Sequence, residues 1–103
     1  MTTKDVVIAK IYTMEGRDLL DRALEILHGE AIEGVTVLRG IAGIGASGEI
    51  HTSSLIDLSL DLPLIIEFYD EPAKVEKAIA ALQSNLGLKH VVSWPASLHA
   101  ADS

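Results

Sequence analysis

The sequence predicts an α+β sandwich of order β-α-β-β-α-β, the ferredoxin-like plan, with a four-stranded antiparallel sheet carrying two helices on one face. Three observations carry that expectation. Four short apolar or β-branched runs are separated by segments whose apolar residues recur at helical spacing. Hydrophobic residues make up 49% of the chain but aromatics only 4%, so the core is built from Ile, Leu, Val and Ala, as in packed sheets and helices. The chain has 103 residues and no cysteine, which suits one domain that folds without staples and leaves no room for a cofactor domain beside a substrate domain.

Taken in order, Val6 to Thr13 (VVIAKIYT) is short and β-branched, a strand. From Asp18 the apolar positions Leu19, Leu20, Ala23, Leu24 and Leu27 fall on one helical face, with Asp18 and Asp21 in the favourable first turn. This helix fades between Gly29 and Ala31. Gly34 precedes a second strand from Val35 to about Ala42. Leu62 to Tyr69 (LPLIIEFY) reads as a third strand, and Pro63 marks that end as an edge or as lying outside the ladder. Pro72 then opens a helix whose face is Val75, Ile79, Leu82 and Leu86, and Gly87 stops it. Lys89 to Trp94 is the last strand, ended by Pro95. Residues 1–103 thus read as a single domain, with 95–103 as a loose tail.

Charge and targeting signals narrow the function. Fifteen acidic against eight basic residues give a net charge of −7, with no Lys/Arg cluster, which argues against nucleic-acid binding. The run Val6 to Ala9 is too short for a signal peptide or membrane span, so a cytoplasmic location is expected. Without cysteine, thiolate catalysis and cysteine-based zinc sites are excluded.

Both faces of the predicted sheet are greasy. On the first strand Val7, Ala9 and Ile11 alternate with Val6, Ile8 and Tyr12; on the third, Leu64, Ile66 and Phe68 alternate with Pro63, Ile65 and Tyr69, interrupted by Glu67. Two helices cover one face only. The other is expected to be buried in a homo-oligomer, with Glu67 matched by a partner such as Arg39 or Lys10.

The stretch from Arg39 to Ser54, RGIAGIGASGEIHTSS, holds four of the eight glycines. Gly43, Gly45 and Gly48 match G-x-G-x-x-G, but EIHTSSLIDLSL lacks a helical period, so no helix N-terminus is there to receive a pyrophosphate. Gly40 to Gly45 has P-loop spacing with Ala46 where lysine belongs. Two readings stay open. Backbone N–H groups form an anion-binding nest, helped by Ser47, Thr52, Arg39 and His51, or the glycines only permit positive φ in a mobile loop.

These residues also carry a resemblance. Arg39-Gly40-x-x-Gly43-x-Gly45-Ala46-Ser47-Gly48, then Ile50-His51 and Asp61-Leu62-Pro63, within the block Ile32 to Ile79, resembles the small PII-like proteins of domain-of-unknown-function family 190. Ile32-x-Gly34-Val35-Thr36-Val37 is more distantly similar to the entry to the regulatory loop of nitrogen-regulatory PII proteins. The resemblance implies a homotrimer and an adenine nucleotide (AMP, ADP or ATP) held in clefts between subunits. It implies signalling rather than catalysis, through a flexible loop from about Gly45 to Ser59 that meets a regulated protein, for example a membrane transporter. The implied ligand-binding set is Arg39, Gly40, Gly43, Gly45, Ala46, Ser47, Gly48, His51 and Lys89. Two departures stand out. The loop has no tyrosine to accept uridylylation, and SNLGLKH replaces the Gly/Lys-rich phosphate loop, leaving Lys89 as its local substitute and favouring an effector with fewer phosphates.

Rival chemistries find less support. His51 with Ser47 or Ser53 and Glu49 lacks triad spacing. His28, His51, His90 and His99 are scattered without ligand spacing, although a metal-responsive trimer of the CutA type shares the fold. An acyl-phosphate hydrolase needs a phosphate cradle at the first strand-helix turn plus an Asn; Gly16 and Arg17 are there, but the one Asn is Asn85. Trp94 reads as an edge or subunit contact, and Asp70, Glu71 and Glu76 as residues that favour the second helix's dipole.

Overall fold

The computed structural model describes residues 2–14, 18–44, 50–52 and 63–101. Among these the elements are, in chain order, β1 (Thr2–Met14), α1 (Leu19–Gly29), β2 (Gly34–Arg39), β3 (Ala42–Ile44), β4 (Ile50–Thr52), β5 (Pro63–Asp70), α2 (Pro72–Leu86) and β6 (Val92–Ala100). β2, β5, β1 and β6 form one antiparallel sheet in that order, while β3 and β4 pair as a separate two-stranded ladder. The ferredoxin-like α+β class is therefore the observed one.

Alternation along the strands fixes which side faces the helices. Ala9 and Ile11 of β1 lie opposite Phe68 and Ile66 of β5, and all four are fully buried under Ala23 and Leu27 of α1 and Val75, Ala78 and Leu82 of α2. Each large apolar side chain buried this way contributes roughly 1.5–3 kcal/mol, so this layer holds the sandwich together. Pro72 stands at the start of α2 and Gly87 caps its end in the left-handed conformation at φ 67°. Arg22 ties the two helices by donating to the carbonyl of Asn85 at 3.1 Å.

Several boundaries depart from the expectation, among them the start of the last strand, at Val92 instead of Lys89. The second strand stops at Arg39 instead of reaching Ala42: the next residue, Gly40, donates its N–H to the Pro63 carbonyl at 2.7 Å, but proline has no N–H to return the bond. Pro63 opens β5, which is an interior strand, and occupies its first position, where a missing N–H is tolerated. The largest correction concerns the end of the chain. Pro95 does not end the last strand, and Ala96–Ala100 are not a loose tail: β6 runs to Ala100 in register with β1, Pro95 facing Val7, Ser97 facing Asp5 and His99 facing Thr3. β6 is an edge strand, the place in a sheet where proline is accommodated. Its partner also begins earlier than expected, at Thr2, so Thr2–Val6 and Ala96–Ala100 make a two-stranded ribbon beyond the end of β5.

Candidate functional site

The glycine corner is built around one proline ring. A Cβ on Gly40 would sit 2.7 Å from Pro63 Cγ, and a Cβ on Gly43 3.1 Å from the same atom. Both glycines therefore give room to Pro63, twenty and more residues later in the chain. The Gly40 N–H is already given to the Pro63 carbonyl, so this residue offers a ligand space and not a donor. Gly43 lies in the middle of β3 and faces His51 of β4, which brings these two candidates together across a ladder that local reading took for loop. Ile50–Thr52 thus belongs to a strand, not to an irregular loop. Gly45, Ala46, Ser47 and Gly48, with residues 49 and 53–59 of the predicted loop, lie outside the described residues.

Arg39 ends β2 opposite Leu64, on the row that also holds Thr13. Lys89 is exposed in the segment between α2 and β6, which enters the sheet at Val92, opposite Lys10. Arg39 thus ends one edge strand of the sheet, and Lys89 lies in the segment that leads into the other edge strand.

The face of the sheet turned away from the helices is laid out in rows. Gly34, Tyr69, Ile8 and Trp94 form one, Thr36, Glu67, Lys10 and Val92 the next, and Leu38, Ile65 and Tyr12 a third. Tyr12 is 59% exposed, Val92 49% and Leu38 44%, large apolar side chains left without cover. Glu67 finds the expected Lys10 as its partner at 3.7 Å. The same ammonium lies 5.4 Å from the centroid of the Trp94 ring, a cation–π distance. Trp94 is thus part of this face. The ring of Tyr69 lies across Gly34 so closely that any Cβ there would overlap it.

At the other end of the sheet Asp70 makes a clamp that sequence reading put down to the helix dipole. Its carboxylate accepts the Glu71 N–H at 2.7 Å and the Glu33 N–H at 3.1 Å, and lies 3.3 Å from Lys74 Nζ. Burial raises its pKa, but the Glu71 and Glu33 N–H groups and then Lys74 outweigh burial and hold the carboxyl below its ordinary range. Lys74 also donates to the carbonyl of Ala31 at 2.7 Å. Ala31 has φ 59°, a left-handed conformation unusual for alanine, so the clamp pins the turn between α1 and β2 to the start of α2. The sequence signal was an acidic residue two positions before Pro72, where its side chain can reach N–H groups of the turn.

Among the described residues no three or more His, Asp or Glu side chains are gathered where they could hold a metal ion, and no helix is long and apolar enough to cross a membrane.

The fold is shared with solved structures. It matches CPII, a nitrogen regulatory PII-like protein from Thiomonas intermedia K12 determined with ADP, AMP and bicarbonate, at TM-score 0.67 and 16% identity over 94% of this chain and 89% of the other. It matches the divalent ion tolerance protein CutA1 of Ehrlichia chaffeensis at TM-score 0.62 and 15% identity over 96% and 86%. The class defined by fold is therefore that of the PII-like and CutA1 sandwiches. Residues 5–98 match the family DUF190, "Uncharacterized ACR, COG1993", and the chain belongs to that family. A UPF0166 protein of Aquifex aeolicus is 32% identical over 71 residues, 69% of this chain and 68% of its own length.

Proposed function

We propose that this chain is a non-enzymatic PII-like regulator. Copies close on the bare sheet face as a homotrimer and bind AMP, ADP or ATP in the seam between them. Arg39 and the Gly40–Gly43 corner of one copy form one wall, and Lys89 in the segment before β6 of the next forms the other. Gly45, Ala46, Ser47, Gly48 and His51 belong to the same proposed set, with backbone N–H groups on phosphate and Arg39 balancing its charge. The segment from Gly45 to Ser59 then meets the regulated protein, in the cytoplasm.

One observation carries the reading. Arg39 ends one edge strand and Lys89 precedes the other, which supports a site shared between neighbouring copies. The bare face supports association: Tyr12, Val92 and Leu38 stand on it 59%, 49% and 44% exposed. Calorimetry with AMP, ADP and ATP is the test. Heat is expected with at least one nucleotide, weakened tenfold or more by Arg39→Ala. No heat with any of the three removes the nucleotide reading.

The CutA1 likeness favours a second reading, a metal-responsive trimer. A thermal shift with copper or zinc, abolished by a chelator and absent with AMP, ADP and ATP, would replace the first reading by this one.

A further inference from the structure

The bare face is not uniformly apolar, and its exception is ordered. The middle of three rows runs Thr36, Glu67, Lys10 and Val92 across the strands, between rows that hold Tyr69, Ile8 and Trp94 on one side and Leu38, Ile65 and Tyr12 on the other. Lys10 and Glu67 pair at 3.7 Å, with the Lys10 ammonium 5.4 Å from the Trp94 ring centre. Their side chains are 27% and 34% exposed, so a covering layer would take away the remaining water.

Charge says what that layer is. The chain carries −7 in all. On the bare face of the four strands the ionisable acids and bases are Lys4, Lys10 and Glu67, a sum of +1, so the rest of the chain carries −8. Lys4 is itself paired with Glu71 at 3.2 Å. Two copies of so acidic a chain repel over most of their surface and can approach without repulsion here. The occupant this face fits is a second copy of itself.

An apolar surface alone lets copies slide past each other and close in different numbers. A paired charge inside it is tolerated only where its partners stay matched as water leaves. A single polar position can in this way set register and copy number, as in helical coiled coils. We propose that the Lys10–Glu67 pair, with Lys10 on the Trp94 ring, fixes how many copies close on the face and in which register. This rests on the assembly reading above and goes beyond it.

The test is native mass spectrometry and size-exclusion with light scattering, at about 10 μM, on the full chain and three variants. The unaltered chain gives one stoichiometry. Lys10→Glu places two carboxylates side by side and lowers the assembled fraction at least tenfold. The exchange Lys10→Glu with Glu67→Lys restores assembly, which excludes simple misfolding as the cause. Lys10→Met with Glu67→Met still assembles but yields more than one stoichiometry. A single species from the double Met variant, identical to the unaltered chain, overturns the inference and leaves the trimer reading standing. Undiminished assembly of Lys10→Glu also overturns it. A monomeric unaltered chain removes both.

Discussion

Replacing Asp70 by Asn tests whether the clamp between the α1–β2 turn and α2 is held by charge. In the native chain one carboxylate, 8% exposed, accepts two backbone N–H bonds, from Glu71 at 2.7 Å and Glu33 at 3.1 Å. Hydrogen bonds to a charged acceptor contribute about 1.5–3 kcal/mol each, neutral ones about 0.5–1.5. Asn keeps one oxygen and turns an NH₂ group toward the other amide, so one charged bond becomes neutral and one is lost. The Lys74 pair adds little, since that side chain is 38% exposed. The sum is a loss of about 3.5 kcal/mol at pH 7. The pH dependence follows from the depressed carboxyl pKa. A carboxyl lowered on folding stabilises above its unfolded value, about 4, and that stabilisation is lost as pH falls through the folded value. Urea unfolding at one fixed protein concentration should therefore show the gap between native and Asp70→Asn chains closing as pH falls below about 4. A gap under 0.5 kcal/mol at pH 7, or one that does not change with pH, refutes the account.

Other consequences are checked more briefly. Gly34→Ala forces its methyl group into the Tyr69 ring and should destabilise by about 1–3 kcal/mol; combining it with Tyr69→Ala should cost less than the sum of the two single changes, measured by a double-mutant cycle. Gly40→Ala meets Pro63 Cγ at 2.7 Å and should destabilise by a similar amount, about 1–3 kcal/mol, with Pro63→Ala as the relieving second change. Phe68→Ala empties the largest fully buried side chain and should cost about 3–5 kcal/mol in thermal or urea unfolding. Cutting the chain after Ala96 removes the partners of Thr2 to Asp5, and hydrogen exchange of those amides should rise to that of an unpaired segment.

Both helices and the core face of the sheet were legible because their signals are local. Val75, Leu82 and Leu86 recur at helical spacing between a starting Pro72 and a stopping Gly87, and Ala9 and Ile11 alternate with their neighbours as a strand must. The Lys10–Glu67 pair was legible as well, since a lone carboxylate on an apolar strand needs a cation and Lys10 lay on a neighbouring strand. What was missed depends on distant parts of the chain. ASLHA has little β-branching and follows a proline, so nothing local marks it as strand; Thr2 to Val6 make it one by pairing with it. Gly40 and Gly43 read as parts of an anion-binding nest or as points of backbone freedom, and their packing against Pro63, where a side chain would collide with the ring, could not be read locally. Asp70 could be placed at a helix start, but its bond to the Glu33 N–H spans 37 residues that only the fold brings together.

The position of Pro95 matters beyond the chain that contains it. A sheet that ends in two bare rims can grow by joining rim to rim, which builds threads instead of closed particles. Halfway along β6 the backbone lacks a donor, so an incoming strand finds the outer rim interrupted at Pro95. Under the assembly proposed above, Pro95 would turn association from the rim to the broad side, toward particles of finite size.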